Sequence, residues 1–93
     1  MILTVKYSSR FKKDVKLLSK RGKDLKKLYA VVDLIRTEQP LPYSYKDHGL
    51  IGNYNGFREC HIEPDWLLIY YIDGGEMVLT LTRTGSHSDL LDL

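Results

Sequence analysis

His48, His61 and His87 are the only histidines of this 93-residue chain, and all three lie in its second half. Metal-free cleavage of RNA needs a base for the 2′-hydroxyl proton, an acid for the leaving 5′-oxygen and a cation for the charge on the phosphorane. Histidine suits both proton roles, because an unperturbed pKa of about 6.5 keeps either form accessible near neutrality. Positioned proton transfer of this kind is typically worth about 10²–10⁴-fold in rate. Arg83 suits the third role, since its planar fork binds phosphate through two hydrogen bonds. His61, His87 and Arg83 therefore supply the minimum set. Asp65 can orient one imidazole or simply shape the turn after Pro64, and Trp66 can offer a face to an unstacked base or fill the core. His48, in a loop, carries the least weight by itself.

The same side chains allow other readings. His48, His61 and His87 with Asp65 are adequate zinc donors, but no pair has helix or knuckle spacing, and the neighbouring Arg83 opposes a dication. No metal and no other cofactor is expected. Cys60 is the sole cysteine, so an internal disulfide is excluded. In strand alternation it faces away from His61, toward a core. The start, MILTVKYSSRF, lacks a secretory pattern and no apolar run approaches a membrane span, so a reducing cytoplasm is the expected location.

Positioning these groups requires an α+β fold, and the length and a 43% hydrophobic content suit one domain over residues 1–93. Residues 2–7, ILTVKY, read as a strand. Ser8 or Ser9 caps a helix whose Phe11, Val15 and Leu18 face inward while Lys12, Lys13, Lys16 and Lys20 fall largely elsewhere. Gly22 stops it, and a second helix over about 23–38 repeats Leu25, Leu28, Val32 and Ile35. Pro40 and Pro42 end that helix, leading into an irregular stretch over 43–56. Three strands follow at 56–63, 65–72 and 76–83, joined at Pro64 and at Asp73-Gly74-Gly75 as an antiparallel meander. Such a meander gathers His61, Asp65, Trp66 and Arg83 at one sheet edge, and Thr84-Gly85-Ser86 then delivers His87 to it. A short helical segment is expected to close the chain.

The net charge of +2 hides a segregation. Residues 1–27 carry ten Lys/Arg against Asp14 and Asp24, for +8, and the remainder sums to −6. A basic segment of this kind suits a polyanion such as RNA, although a solvated helix face is the commoner cause of such a pattern.

The stretch YKDHGLIGNYNGFRECHIEPDWLLIYY, followed by TRTGSHSDLL, resembles the YafQ-type branch of the RelE/ParE superfamily of bacterial type II toxins, and the resemblance runs over nearly the whole chain. It implies a RelE-like fold: an antiparallel sheet with an N-terminal helical hairpin packed against it. It implies a ribosome-dependent mRNA endoribonuclease, with His48, His61, Asp65 and His87 as the catalytic cluster and Arg83 and Trp66 binding substrate. Lys12, Lys13, Lys16 and Lys20 would meet ribosomal RNA. Relatives often carry an aromatic residue near the C-terminus where this chain has Leu91. The implied partners are a cognate antitoxin, the ribosome with its message, and operator DNA bound only as the toxin-antitoxin complex; no membrane is implied. Two further classes stand beside this one. A ParE-like toxin that poisons DNA gyrase shares the superfamily fold, and an inactive RNA-binding module would need the basic half alone.

Overall fold

The computed structural model describes residues 2–90. In chain order they form β1 (Thr4–Tyr7), α1 (Ser9–Lys20), α2 (Leu25–Arg36), a 3₁₀ turn (Tyr43–Tyr45), β2 (His48–Gly49) and a second 3₁₀ turn (Gly52–Tyr54). The strands β3 (Arg58–Glu63), β4 (Trp66–Asp73) and β5 (Val78–Gly85) complete the series. One five-stranded sheet results, in the order β1-β5-β4-β3-β2.

The helix ends follow from local chemistry. Ser8 Oγ accepts the Phe11 N–H at 2.9 Å and donates to the Thr82 carbonyl at 2.6 Å, so the cap that starts α1 also pins it to β5. Gly22 takes φ +80° after α1, the left-handed conformation that costs glycine nothing. Asp24 accepts the Lys26 N–H at 3.0 Å and starts α2. Phe11 and Leu18 of α1 and Leu28, Val31, Val32 and Ile35 of α2 are buried, and with Cys60, Ile62, Trp66, Leu68, Tyr70, Leu79 and Leu81 they form the main core. Leu67, Ile69 and Leu90 form a smaller cluster with Leu50 and Phe57 on the opposite face of the sheet.

Three features differ from the sequence expectation, and a fourth is described only in part. The sheet is mixed, because β1 pairs in parallel with β5 while the other pairings are antiparallel. A pairing made by residues some seventy positions apart leaves no local signal. The second helix spans 25–36, since Thr37 caps it and Glu38 turns out of it with φ +56°. The stretch 43–56 contains β2, two residues long and paired with Arg58 and Glu59. At the end of the described chain, Leu90 N–H reaches the Ser86 and His87 carbonyls at 3.2 Å, making a single turn; Leu91 and the rest of the expected helical segment lie outside the described residues.

Candidate active site

Strand register assembles the site. His61 of β3 stands opposite Leu67 of β4, which stands opposite Gly85 of β5, so one transverse row leads from His61 to the turn that carries His87. Cys60 and Ile62 belong to the main core, and alternation sends His61 to the other face. Burial pushes the Cys60 thiol up to about 12, so it is a packed side chain and not a nucleophile.

The His61 and His87 rings lie edge to face with centroids 5.9 Å apart. The Asp65 carboxylate, in the β3–β4 turn, accepts two bonds from His87 at the same oxygen, from its backbone N–H at 2.9 Å and from Nδ1–H at 2.6 Å. These bonds hold the Asp65 carboxyl below the usual carboxylate range, the backbone bond most of all. Because an ionised carboxylate can only accept, the contact fixes a proton on Nδ1 and leaves Nε2 as the nitrogen without that partner. Both side chains are more than half exposed, so a substrate can reach that nitrogen.

The turn that bears His87 has its own anchor. Asp89 accepts the Ser86 N–H at 2.9 Å and receives Arg21 Nη1 at 2.7 Å and Nη2 at 3.0 Å. Arg21 lies in the turn between the two helices, so the helical hairpin grips the end of the chain. Arg21 is the main reason the Asp89 carboxyl lies far below the usual range, with the Ser86 N–H next. A depressed pKa contributes stability above the ordinary carboxylate range, and this is lost as pH falls through the depressed value. Wild type should therefore be more stable than Asp89→Asn at neutral pH, and the two should converge in strong acid. Urea midpoints measured across that range check the sign; a gap that widens on acidification would refute it.

Gly85 packs against the same carboxylate. A Cβ at this position would lie 2.9 Å from both Asp89 Cβ and Oδ2, and Asp89 Cβ is too close to the backbone to swing away. Gly85→Ala is expected to destabilise by about 1–3 kcal/mol, the usual cost of overpacking. It should also displace the His87 turn. An unchanged denaturation midpoint would show that the turn yields freely.

His48 lies on the same sheet face, offset from the pair along β3. It stands opposite Glu59, two residues before His61 on β3. Its Nδ1–H donates to the Lys46 carbonyl at 2.8 Å, and Nε2 lies 3.5 Å from Glu59 Oε1, an ion pair whenever the ring is protonated. Asp47 next to it is anchored from the other side, accepting Arg58 Nε at 3.2 Å, Arg58 Nη2 at 3.0 Å and the Tyr70 hydroxyl at 2.5 Å. Sequence reasoning passed over Glu59, although Glu59 and His61 alternate onto one face of β3.

Two expected positions are corrected. Trp66 is fully buried; its Nε1–H donates to Thr84 Oγ1 at 2.9 Å and the Lys23 ammonium lies 5.7 Å from the ring centroid, so no face is open to a base. Arg83 ends at the right edge of the sheet but turns onto α1, where Nε donates to Asp14 Oδ2 at 2.8 Å and Nη2 to Oδ1 at 3.3 Å. Its side chain is only 10% exposed, so the guanidinium is committed to Asp14 and not presented to phosphate beside the histidines. Asp14 also accepts the Thr84 N–H at 3.1 Å, beyond the point where β1 ceases to pair with β5. Nothing in the helical pattern of α1 marks Asp14 as that partner.

Comparison with known proteins places this geometry. The family described as bacterial toxin of type II toxin-antitoxin system, YafQ, matches residues 3–92. The mRNA interferase toxin YafQ of Escherichia coli K12 is 47% identical over 87 residues, covering 92% of each chain. In the crystal structure of the E. coli DinJ-YafQ toxin-antitoxin complex, a chain of 43% identity superposes with a TM-score of 0.88, covering 97% of this chain and 98% of the other. A metal-bound toxin from Helicobacter pylori is 54% identical with a TM-score of 0.90, covering 96% and 99%. The chain therefore belongs to the YafQ family of bacterial type II toxin-antitoxin toxins.

Proposed function

We propose that this chain is an endoribonuclease, the toxin of a type II pair, formed as one domain over residues 1–93, that inhibits translation by cutting messages on the ribosome. The observation that carries the reading is the exposed His87 whose Nδ1 is fixed by Asp65, with the His61 ring 5.9 Å away. In the cleavage, His61 takes the 2′-hydroxyl proton and the oxygen attacks the adjacent phosphate. His87 Nε2 gives its proton to the departing 5′-oxygen, leaving a cyclic 2′,3′-phosphate and a 5′-hydroxyl. His48, paired with Glu59, supports the same face. The interferase name of the E. coli relative points the same way.

An antitoxin partner is supported by the E. coli complex with DinJ, and operator DNA is the expected target of the pair. Lys12, Lys13, Lys16 and Lys20 are all exposed on α1 and suit ribosomal RNA. No helix among the described residues is long and apolar enough to cross a membrane; a cytoplasmic location is part of the same proposal, since the proposed role is on the ribosome. Among the described residues no group of three His, Cys, Asp or Glu side chains is arranged to hold a metal ion.

Induced expression in a bacterium, with message ends mapped, tests the reading. Growth arrest with cuts at a fixed codon position, relieved by the antitoxin, is expected. Gyrase-DNA adducts with intact messages would make the chain a ParE-like poison instead, and unimpaired growth would leave only an RNA-binding module.

A further inference from the structure

A cavity of about 400 Å³ adjoins His61 and takes no part in the proton transfers. Its walls come from Ser44, Tyr45 and Lys46 on one side and from the end of β3, His61, Ile62 and Glu63, with Pro64 on the other. The gap exists because the β2–β3 ladder pairs only His48 with Glu59 and Gly49 with Arg58. On the N-terminal side of that ladder, Lys46 adopts φ 51° and ψ 40°, a left-handed conformation that a side chain with a Cβ enters at a cost. The 3₁₀ turn of residues 43–45 is thereby carried alongside the last residues of β3 without joining the sheet.

The wall chemistry is specific. Tyr45 is half-buried against the main core, which fixes its ring. Lys46 is exposed and lines the cavity that His61 also lines, so a cation is available to it that Arg83 does not supply. Glu63 is held by Lys27 Nζ at 2.9 Å and Lys23 Nζ at 3.0 Å, and these two lysines keep its carboxyl below the usual range. An ionised carboxylate accepts hydrogen bonds and repels carbonyl oxygens. Single-stranded RNA is read by stacking a splayed base on an aromatic ring and bonding its Watson–Crick edge.

We infer that this cavity is a nucleobase subsite for a nucleotide flanking the scissile phosphate. Tyr45 is its apolar wall, Lys46 neutralises the adjoining phosphate, and Glu63 selects bases that present amino donors over uracil. The inference rests on the nuclease reading above, since only a message bound at His61 brings a flanking base here.

The test is a cell-free translation reaction programmed with messages randomised around one codon, with every cut mapped for wild type, Tyr45→Phe, Tyr45→Ala and Glu63→Gln. Wild type should disfavour uracil at one fixed flanking position. Glu63→Gln, whose amide both donates and accepts, should erase that bias. Tyr45→Ala should raise KM about tenfold, in line with the loss of one stacked base, and Tyr45→Phe should restore it. A purely structural role for Glu63 would lower the rate without redistributing the bases. The same base distribution in wild type and variants removes the subsite while leaving the nuclease standing, whereas a wild type that makes no cuts removes both.

Discussion

Replacing His87 by alanine is expected to lower the rate of message cleavage about 10²–10⁴-fold, the range for loss of a positioned acid or base. The fold should survive, because the side chain is more than half exposed and so is its hydrogen-bond partner Asp65. His61→Ala is expected to produce a fall of the same order, because the proposed mechanism needs a separate group for each proton transfer and the two rings lie 5.9 Å apart. Asp65→Asn is the more discriminating change. The amide keeps a hydrogen-bonding group at Nδ1 but removes the negative charge that faces the imidazolium from which Nε2 gives its proton, at nearly unchanged geometry. Single-turnover cleavage in a translation extract gives the rates, and circular dichroism shows whether each variant is folded. A folded His87→Ala that cuts at the wild-type rate would take His87 out of the mechanism.

The parts of this site visible in the sequence were those governed by short-range rules. Alternation along RECHIE sent Cys60 inward and His61 outward, and the Pro64 turn fixed which end of the meander would hold Asp65 and the His87 segment. The helical hairpin was equally legible, because a three- and four-residue spacing of apolar side chains needs no knowledge of what they pack against. The failures share a cause. Arg83 was placed correctly along its strand, but its guanidinium follows Asp14, sixty-nine residues away. Arg21 and Asp89, which brace the His87 turn, are sixty-eight residues apart. Partners at such distances are fixed by topology, and here the topology hinges on β1 pairing in parallel with β5. The two-residue strand β2 is too short to show a period, so His48 acquired its neighbours Glu59 and Asp47 only in the folded chain.

Of the two readings left open for Trp66, core packing is the one its burial supports, and its substitution should have the largest effect on stability. The ring is fully buried in the main core beside Asp65. Its N–H is bonded to Thr84 Oγ1, which in turn donates to the Leu67 carbonyl at 2.7 Å, so the indole ties the first residue of β4 to β5. Trp66→Ala removes that bond and opens a large cavity, and is expected to destabilise by about 3–5 kcal/mol. Against a total of about 5–15 kcal/mol for ordinary domains, this puts the variant near the unfolding threshold at growth temperature. Thr84→Val separates the two contributions: it keeps the core filled, leaves the indole N–H unsatisfied and should cost about 1–3 kcal/mol. Urea denaturation of the three proteins measures both differences. If the ring served as an open platform for a base, Trp66→Ala would weaken RNA binding with little change in the urea midpoint, and that outcome would overturn the structural role. With the midpoint lowered as expected, lost activity in this variant reports a collapsed β3–β4 turn, and with it the displacement of Asp65 from His87.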